Sequence, residues 1–477
     1  MFATIEKTLI AFREKFTREL TFQWFVVLVI GFMIRSDHLG VTSVIRDLAL
    51  LGSNYESLLH FFYSSAWVLE DIRNCWYQVV NNSDLLTKVN ERILVAGDGV
   101  KESKEAFFMP GVKKLAQESE NSAKPDFIHG HLFGAIGAII GSGASQRCIP
   151  LCLNIQDGLE ATASWDGGDH RLQYSHVIQM IQRVHKCAKI MGKMYLILDR
   201  YFLTVPALIV NSNLNHLHSK ECNLVEIITK AKSNCVAYSD PPPRSPGKAG
   251  RNRKKGDRVK LSSLFSDSSL FTKVMVDMYG DIREVEYYCI DLLWGNRLYR
   301  KLRFVLTKYN GMQSILVSTD LTLSPTKVIE IYAKRDKIER FFRVFKQEIG
   351  GFAYHFWTTC LPKLNHFKKK GEADPLLSVS DEKSRKKILM KIRAIEMFVL
   401  IGVIATGIMQ MFALSDDHSI KDFRYKRTVS RLCISEGDVR YYMGHTIFAL
   451  LLKHPSSFVT RFIRSRQGAP LGDNNSA

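Results

Sequence analysis

Between Ile331 and Lys346 the stretch IYAKRDKIERFFRVFK sets one carboxylate among cations and a phenol at helical spacing. At about 100° per residue, Tyr332, Arg335 and Lys346 fall within roughly 40° of Glu339, and Arg343 lies about 40° away. Ile338, Phe342, Phe345 and Ile349 form a separate apolar stripe. One helix would bury one face and present, on the next, an acid flanked by positive charge. A surface helix laced with its own salt bridges carries the same pattern, so the meaning of this face depends on what the rest of the chain brings to it.

Two more acids stand out by placement. RILVAGD (92–98) and MYLILDRYF (194–202) read as buried strands, and Asp98 and Asp199 terminate their apolar runs. Strand-end aspartates are common in α/β proteins, and each alone says little. Together with Glu339 they could line one pocket at the ends of a sheet. Clustered carboxylates repel unless protonated or compensated. Hard divalent cations compensate them, and Mg²⁺ favours a few carboxylates, waters and substrate phosphates. Two such ions can activate a nucleophile and steady a leaving oxygen at phosphorus. The net charge of +19 points the same way, to a polyanionic partner, nucleic acid before anionic membrane.

The elements that must position these residues follow from the pattern. Residues 1–90 read as helical, with apolar runs at 24–34 and 58–69. Between them Val41–Leu51 could form a helix-turn-helix with Thr42, Ser43, Arg46 and Tyr55 facing a groove, or plain helical packing. Residues 91–239 give strands at 92–98, 127–141, 147–155 and from 194, with helices near 173–191 and from Thr204, and a fifth strand near Ser233–Tyr238. Lys101–Asn121 reads as a basic loop. Composition breaks at Asp240, where 240–260 holds eight Lys or Arg against two Asp, a solvated tether or an arm that follows phosphates. The segment 240–320 ends in four strands between 271 and 319 that look like an inserted small sheet. Ser324-Pro325 caps the start of the signature helix within 321–360. Residues 361–477 hold a charged linker (Lys363–Lys387), an apolar helix (Ile388–Leu414), a basic region and a frayed end from Gly468.

Met397–Leu414 is eighteen residues without a charge, the lower edge of a membrane span. The chain is otherwise evenly charged, so this reads as a buried core helix and no stable membrane association is expected. Trp24–Ile34 does not read as a signal peptide. The nine cysteines are scattered without a CxxC pair, as expected of reduced thiols in a cytoplasm.

The gapless Y-x2-R-x3-E-x6-K pattern of Tyr332, Arg335, Glu339 and Lys346 resembles the signature of DDE-superfamily insertion-sequence transposases of bacteria. So do GDG at Gly97–Gly99, LDRYF at Leu198–Phe202, MPGVKKL at Met109–Leu115, GHLFG at Gly130–Gly134, KLSSLF at Lys260–Phe265 and GGFAYHFW at Gly350–Trp357. The resemblance implies an α/β fold: an RNase H-like mixed sheet flanked by helices and interrupted by a β-rich insertion, with helical regions at both ends. It implies that Asp98, Asp199 and Glu339 are catalytic and hold Mg²⁺ or Mn²⁺, two ions in all. Tyr332, Arg335, Lys346 and Arg343, with Arg200, would contact phosphates. Trp294, in DLLWGN, is the candidate to stack on a flipped base, or else a core tryptophan of the inserted sheet.

The activity implied is metal-dependent cleavage at transposon ends and transfer of the strands into target DNA, by a dimer on DNA near the bacterial nucleoid. The chain departs from the family at Glu105-Ala106-Phe107-Phe108, where members tend to carry glycine and a basic residue. That bears on recognition of ends rather than on metal. Alternatives are an inert, recruited DNA-binding copy, a nuclease of the same fold, and a protein of anionic membranes.

Overall fold

Ile93–Ala96 and Met194–Ile197 are too uniformly apolar for strands with a wet face. They pair in parallel and are buried, as parallel strands are. The computed structural model describes residues 2–117, 125–219, 221–243, 251–365, 373–415, 418–423 and 433–468. Among them one mixed α/β sheet of thirteen strands runs through the molecule. Beside the strand Arg92–Ser103 lie Phe127–Ile140 and then Arg147–Ile155, each antiparallel to its neighbour. On its other side lie Met194–Ile197 and Val225–Lys230, both parallel to it. The helices His176–Met191 and Val205–His218 connect these strands.

Two expectations need correction here. The Asp98 strand does not end at Asp98; it stays paired with its antiparallel neighbour as far as Ser103. The basic loop expected from Lys101 therefore begins as strand and returns to strand at Lys113–Ala116, while 118–121 lies outside the described residues. The expected segment Ser233–Tyr238 does hold a strand, Val236–Tyr238, but it pairs with Asp281–Trp294 and Arg258–Lys260 rather than in the core; the fifth core strand is Val225–Lys230. Its buried Glu226 broke the apolar pattern; the carboxylate accepts from the Thr319 hydroxyl and from the Asn223 amide at 2.7 Å.

The four inserted strands, Thr272–Met278, Asp281–Trp294, Arg300–Tyr309 and Met312–Ser318, form as expected. They are not a separate sheet. Met312–Ser318 pairs antiparallel with Val225–Lys230, Ser318 opposite Ile228, so the core sheet simply continues. The described parts of the basic segment are mostly exposed, Arg251, Asn252, Arg253 and Lys254 among them, and are anchored at two points. Lys255 sits 3.7 Å from the Tyr238 ring centroid and Lys301 pairs with Asp240 at 2.5 Å; residues 244–250 lie outside the description.

Five helices fill Phe2–Asn81. Within them the groove-facing expectation divides. Ser43 is fully buried and donates to Asp37, and Arg46 is held by Asp37 and Asp47, while Thr42 and Tyr55 stay exposed. Arg35, itself buried, donates to the carbonyls of Ile349 and Gly350 and locks this region to the end of the signature helix. Of the expected linker, 366–372 lies outside the described residues, as do 469–477 of the expected frayed end; Leu376 and Val379 are buried.

The apolar helix is Glu382–Leu414, starting earlier than expected behind an Asp381 cap. It is long and apolar enough to cross a membrane, yet 89 % of its most apolar window is buried inside the protein. It packs on Glu19–Ile34, Arg147–Ile155 and Glu436–Lys453. Two of its polar groups find partners inside the protein: the Thr406 hydroxyl donates to the Gly402 carbonyl at 2.7 Å and the Gln410 amide nitrogen to Glu436 at 3.1 Å, while Gln410 Oε1 stays buried without a partner. Its glycines admit rings. Gly402 faces Phe345, and a Cβ at Gly407 would lie 2.2 Å from the Trp76 ring. Gly407→Ala is therefore expected to cost about 1–3 kcal/mol, read as a lowered midpoint in chemical unfolding; an unchanged midpoint contradicts this packing.

Candidate functional site

The parallel ladder between Ile93–Ala96 and Met194–Ile197 ends at the pair Ala96 and Ile197. Two residues further along each chain stand Asp98 and Asp199. Since side chains alternate along a strand, continued register puts both on one face at the mouth of the sheet. Gly97, between Ala96 and Asp98, has no room for a side chain: a Cβ would meet Leu198 at 2.9 Å and Met180 at 3.0 Å. Gly99 donates its N–H back to Asp98 Oδ1 at 2.8 Å. The GDG motif is thus tight packing on one side of the acid and a backbone brace on the other.

The signature segment is not one continuous α-helix, as expected, but Pro325–Tyr332, a 3-10 turn at Ala333–Arg335, and Asp336–Gln347. Ser324 caps its start, accepting from Lys327 N–H at 3.3 Å. Ile338, Phe342, Phe345 and Ile349 are buried, which docks the expected apolar stripe. Arg335 then points to the acids. Its Nη2 donates to Asp98 Oδ2 at 2.5 Å and its Nη1 to Glu339 Oε1 at 3.3 Å. One planar fork spans both contacts, so the two carboxylates lie within about 8 Å of each other. Asp199 is half-buried close by, near enough to act electrostatically on Asp98, Tyr332 and Arg335. Its carbonyl accepts from the Thr229 hydroxyl at 2.9 Å. Glu339 sits at the rim, 56 % exposed.

Burial pushes the Asp98 carboxyl up to about 7; Arg335 opposes this, while Glu339 and Asp199 add to it. For Arg335 burial works against the charge, but Asp98, Asp199 and Glu339 outweigh it and its pKa lies above the usual value. Tyr332 is raised to about 12 by burial, so its phenol keeps its proton. Arg335 Nε is buried without a partner, a donor left over in the middle of the cluster.

The donors suit a hard divalent cation, being carboxylates grouped about one positive charge. As arranged, no three acid, imidazole or thiol groups among the described residues close around a single ion. Arg335 stands where that charge would go, and an ion would have to displace it from Asp98.

The remaining candidates divide. Lys346 lies on the same side, further along the Asp98 strand, donating to the Lys101 carbonyl at 2.7 Å and pairing with Glu102 at 3.1 Å. Glu102 was not foreseen; an acid in a short polar run gives no signal of its own. Arg200 is exposed beside Asp199. Arg343 does not join them. It lines a separate cavity with Arg340, Arg147 and Glu348, because the wheel angle of about 40° carries it past the edge of the acidic face. Trp294 ends its strand half-buried, in hydrogen-bonding contact with Cys235 and packed on the core.

Sequence reading also missed His131. Fully buried, it is lowered to about 4 by burial. Its Nε2 lies 2.8 Å from the Pro110 carbonyl, which can only accept, so Nδ1 accepts from the Tyr354 hydroxyl at 2.6 Å. One neutral imidazole joins the MPG, GHLFG and GGFAYHFW motifs.

A carboxyl whose native pKa exceeds its unfolded one holds extra protons when folded, so stability falls as pH rises through the native value. Asp98→Asn should stay close to the parent near pH 4 and gain on it as pH rises, by as much as about 4 kcal/mol near pH 8. Urea unfolding at both pH values checks this; a gap that does not widen contradicts the buried acid. A scan against protein-family models finds no match for the chain, and a search of curated proteins finds none.

Proposed function

We propose that the protein is a DDE-superfamily DNA transposase that cuts DNA at the ends of an insertion sequence and joins the freed 3′ ends to target DNA. The observation that carries this reading is the gathering of Asp98, Asp199 and Glu339, from three distant parts of the chain, around Arg335. Support also comes from the element order. Three antiparallel strands, a helix and two parallel strands precede a β-rich insertion, and the helix bearing Glu339 follows it. That is the order an interrupted RNase H-like core implies.

Asp98, Asp199 and Glu339 would hold Mg²⁺ or Mn²⁺, two ions in this reading. When bound, the metal supplies the charge that steadies in-line displacement at phosphorus. The chain's own residues prepare that step. Asp98 would ligate as its carboxylate, the proton that burial favours passing to solvent. Arg335, released from Asp98, turns its fork and its spare Nε to a phosphate, a bidentate partner it suits. Tyr332 keeps its proton and donates to a phosphate oxygen. Lys346 and Arg200 extend the positive border along which DNA lies. Two ends must meet before transfer, so the working form is a dimer on DNA, at the nucleoid of a bacterial cytoplasm and without stable membrane association.

A second reading, an inert DNA-binding copy, is favoured by one observation: Arg335 is seated on Asp98. Incubating a labelled transposon end with Mg²⁺ or Mn²⁺ separates the two. The expected result is strand cleavage by the parent, lost at least about a hundredfold in Asp199→Ala, with end binding kept within about twofold. A parent that binds ends and cuts nothing, or an Asp199→Ala that still cuts, overturns the enzymatic reading.

A further inference from the structure

GGFAYHFW has a use beyond the His131 tie. Past Tyr354 the chain runs out to the surface and leaves Trp357 58 % exposed, unusual for the largest apolar side chain. Trp357 borders a groove of about 770 Å³ between the N-terminal helices and the start of Glu382–Leu414. Tyr55, 39 % exposed, and Tyr63 line its helical wall. His355, Lys387 and Lys391 stand among them. The Lys391 ammonium donates to the Tyr63 hydroxyl at 2.7 Å and lies 4.1 Å from that ring's centroid. Among the described residues that line the groove there is no aspartate or glutamate, in a chain where 24 % of residues are charged. Lys387 is exposed and Lys391 lies against Tyr63, with no acid among the described lining residues to pair with either.

We infer that this groove binds an unpaired stretch of nucleic acid, with bases stacked on Trp357 and Tyr55 and phosphates at Lys387 and Lys391. The inference rests on the proposal that the chain acts on DNA. Aromatic faces interleaved with lysines are what single strands require. A duplex hides its base faces within its own stack and would gain little from an exposed indole. An acidic peptide would use the lysines but leave the rings idle.

The groove is also joined to the acids. Lys104 follows Asp98 by six residues of extended chain, about 20 Å, and donates to the carbonyls of Phe352 and Tyr354, the latter at 3.5 Å. The strand that holds Asp98 thus fixes the segment that presents Trp357. A strand opened at the acids would have this groove a few nucleotides away.

The test uses the full chain in EDTA, so that no cleavage is involved. A labelled oligothymidylate and a duplex of equal length are titrated by fluorescence anisotropy. Trp357→Ala is expected to weaken single-strand binding about tenfold, with duplex binding changed less than about twofold. Trp357→Phe keeps a ring and should retain most of the affinity. Lys387→Ala should weaken single-strand binding and flatten its salt dependence. Unchanged single-strand affinity in both Trp357→Ala and Lys387→Ala overturns the groove while leaving the transposase reading intact. Binding of polyglutamate with no binding of oligothymidylate overturns it in favour of an acidic protein. A parent that binds neither single strand nor duplex overturns the groove and the DNA reading together.

Discussion

Three carboxylates brought together in a half-dry pocket repel one another unless a proton or a cation intervenes. Here both devices operate. Arg335 bridges Asp98 and Glu339 and lies in the field of Asp199, and burial favours a proton on Asp98. The cluster is therefore held together by compensation that can be exchanged. A proton or a guanidinium can leave, and a divalent ion would replace both. A site built from three fixed, fully paired salt bridges would not offer that exchange.

The rest of the molecule keeps those groups in place. The parallel ladder runs to Ala96 and Ile197, two residues short of Asp98 and Asp199, and Gly97 lets the strand pack against Leu198. The signature helix is pinned from below by its phenylalanines and at its end by Arg35. A partly buried ionic group ties three helices to one another. Glu70 receives Arg73 and Arg183, each only 2 % exposed, and Arg73 also reaches Glu396 on the apolar helix. Such groups are costly to desolvate and add little net stability; what they specify is orientation. The apolar helix is the pillar on which these layers rest, which is why its apolar stretch looks like a membrane span yet is covered on its sides.

Much of this was legible because it depends on local spacing. The apolar runs at 127–141 and 147–155 are long and the four segments within 271–319 are rich in strand formers, and strands form there with nearly the same bounds. The acidic face of the signature helix follows from its wheel, and so does its buried stripe. What escaped depends on partners distant in sequence. Val225–Lys230 was hidden because Glu226 breaks its apolar run and is satisfied in part by Thr319, 93 residues away. The insertion looked separate because nothing local announces that Ser318 pairs with Ile228. Arg343 fell outside the acidic face because it lies about 40° from Glu339 on the side opposite Arg335, about 80° from it on the wheel, where it lines a separate cavity. The motifs that meet at His131 are far apart along the chain, and no spacing rule connects them.

The central claim is that Arg335 holds the place of a divalent cation among Asp98, Asp199 and Glu339. The most direct measurement is anomalous scattering from crystals of the protein soaked in Mn²⁺. The account predicts manganese within coordination distance, roughly 2 Å, of Asp98 and Asp199 oxygens, with Glu339 drawn in and Arg335 swung away from Asp98. Manganese bound only elsewhere, with the Arg335–Asp98 pair intact, would contradict it.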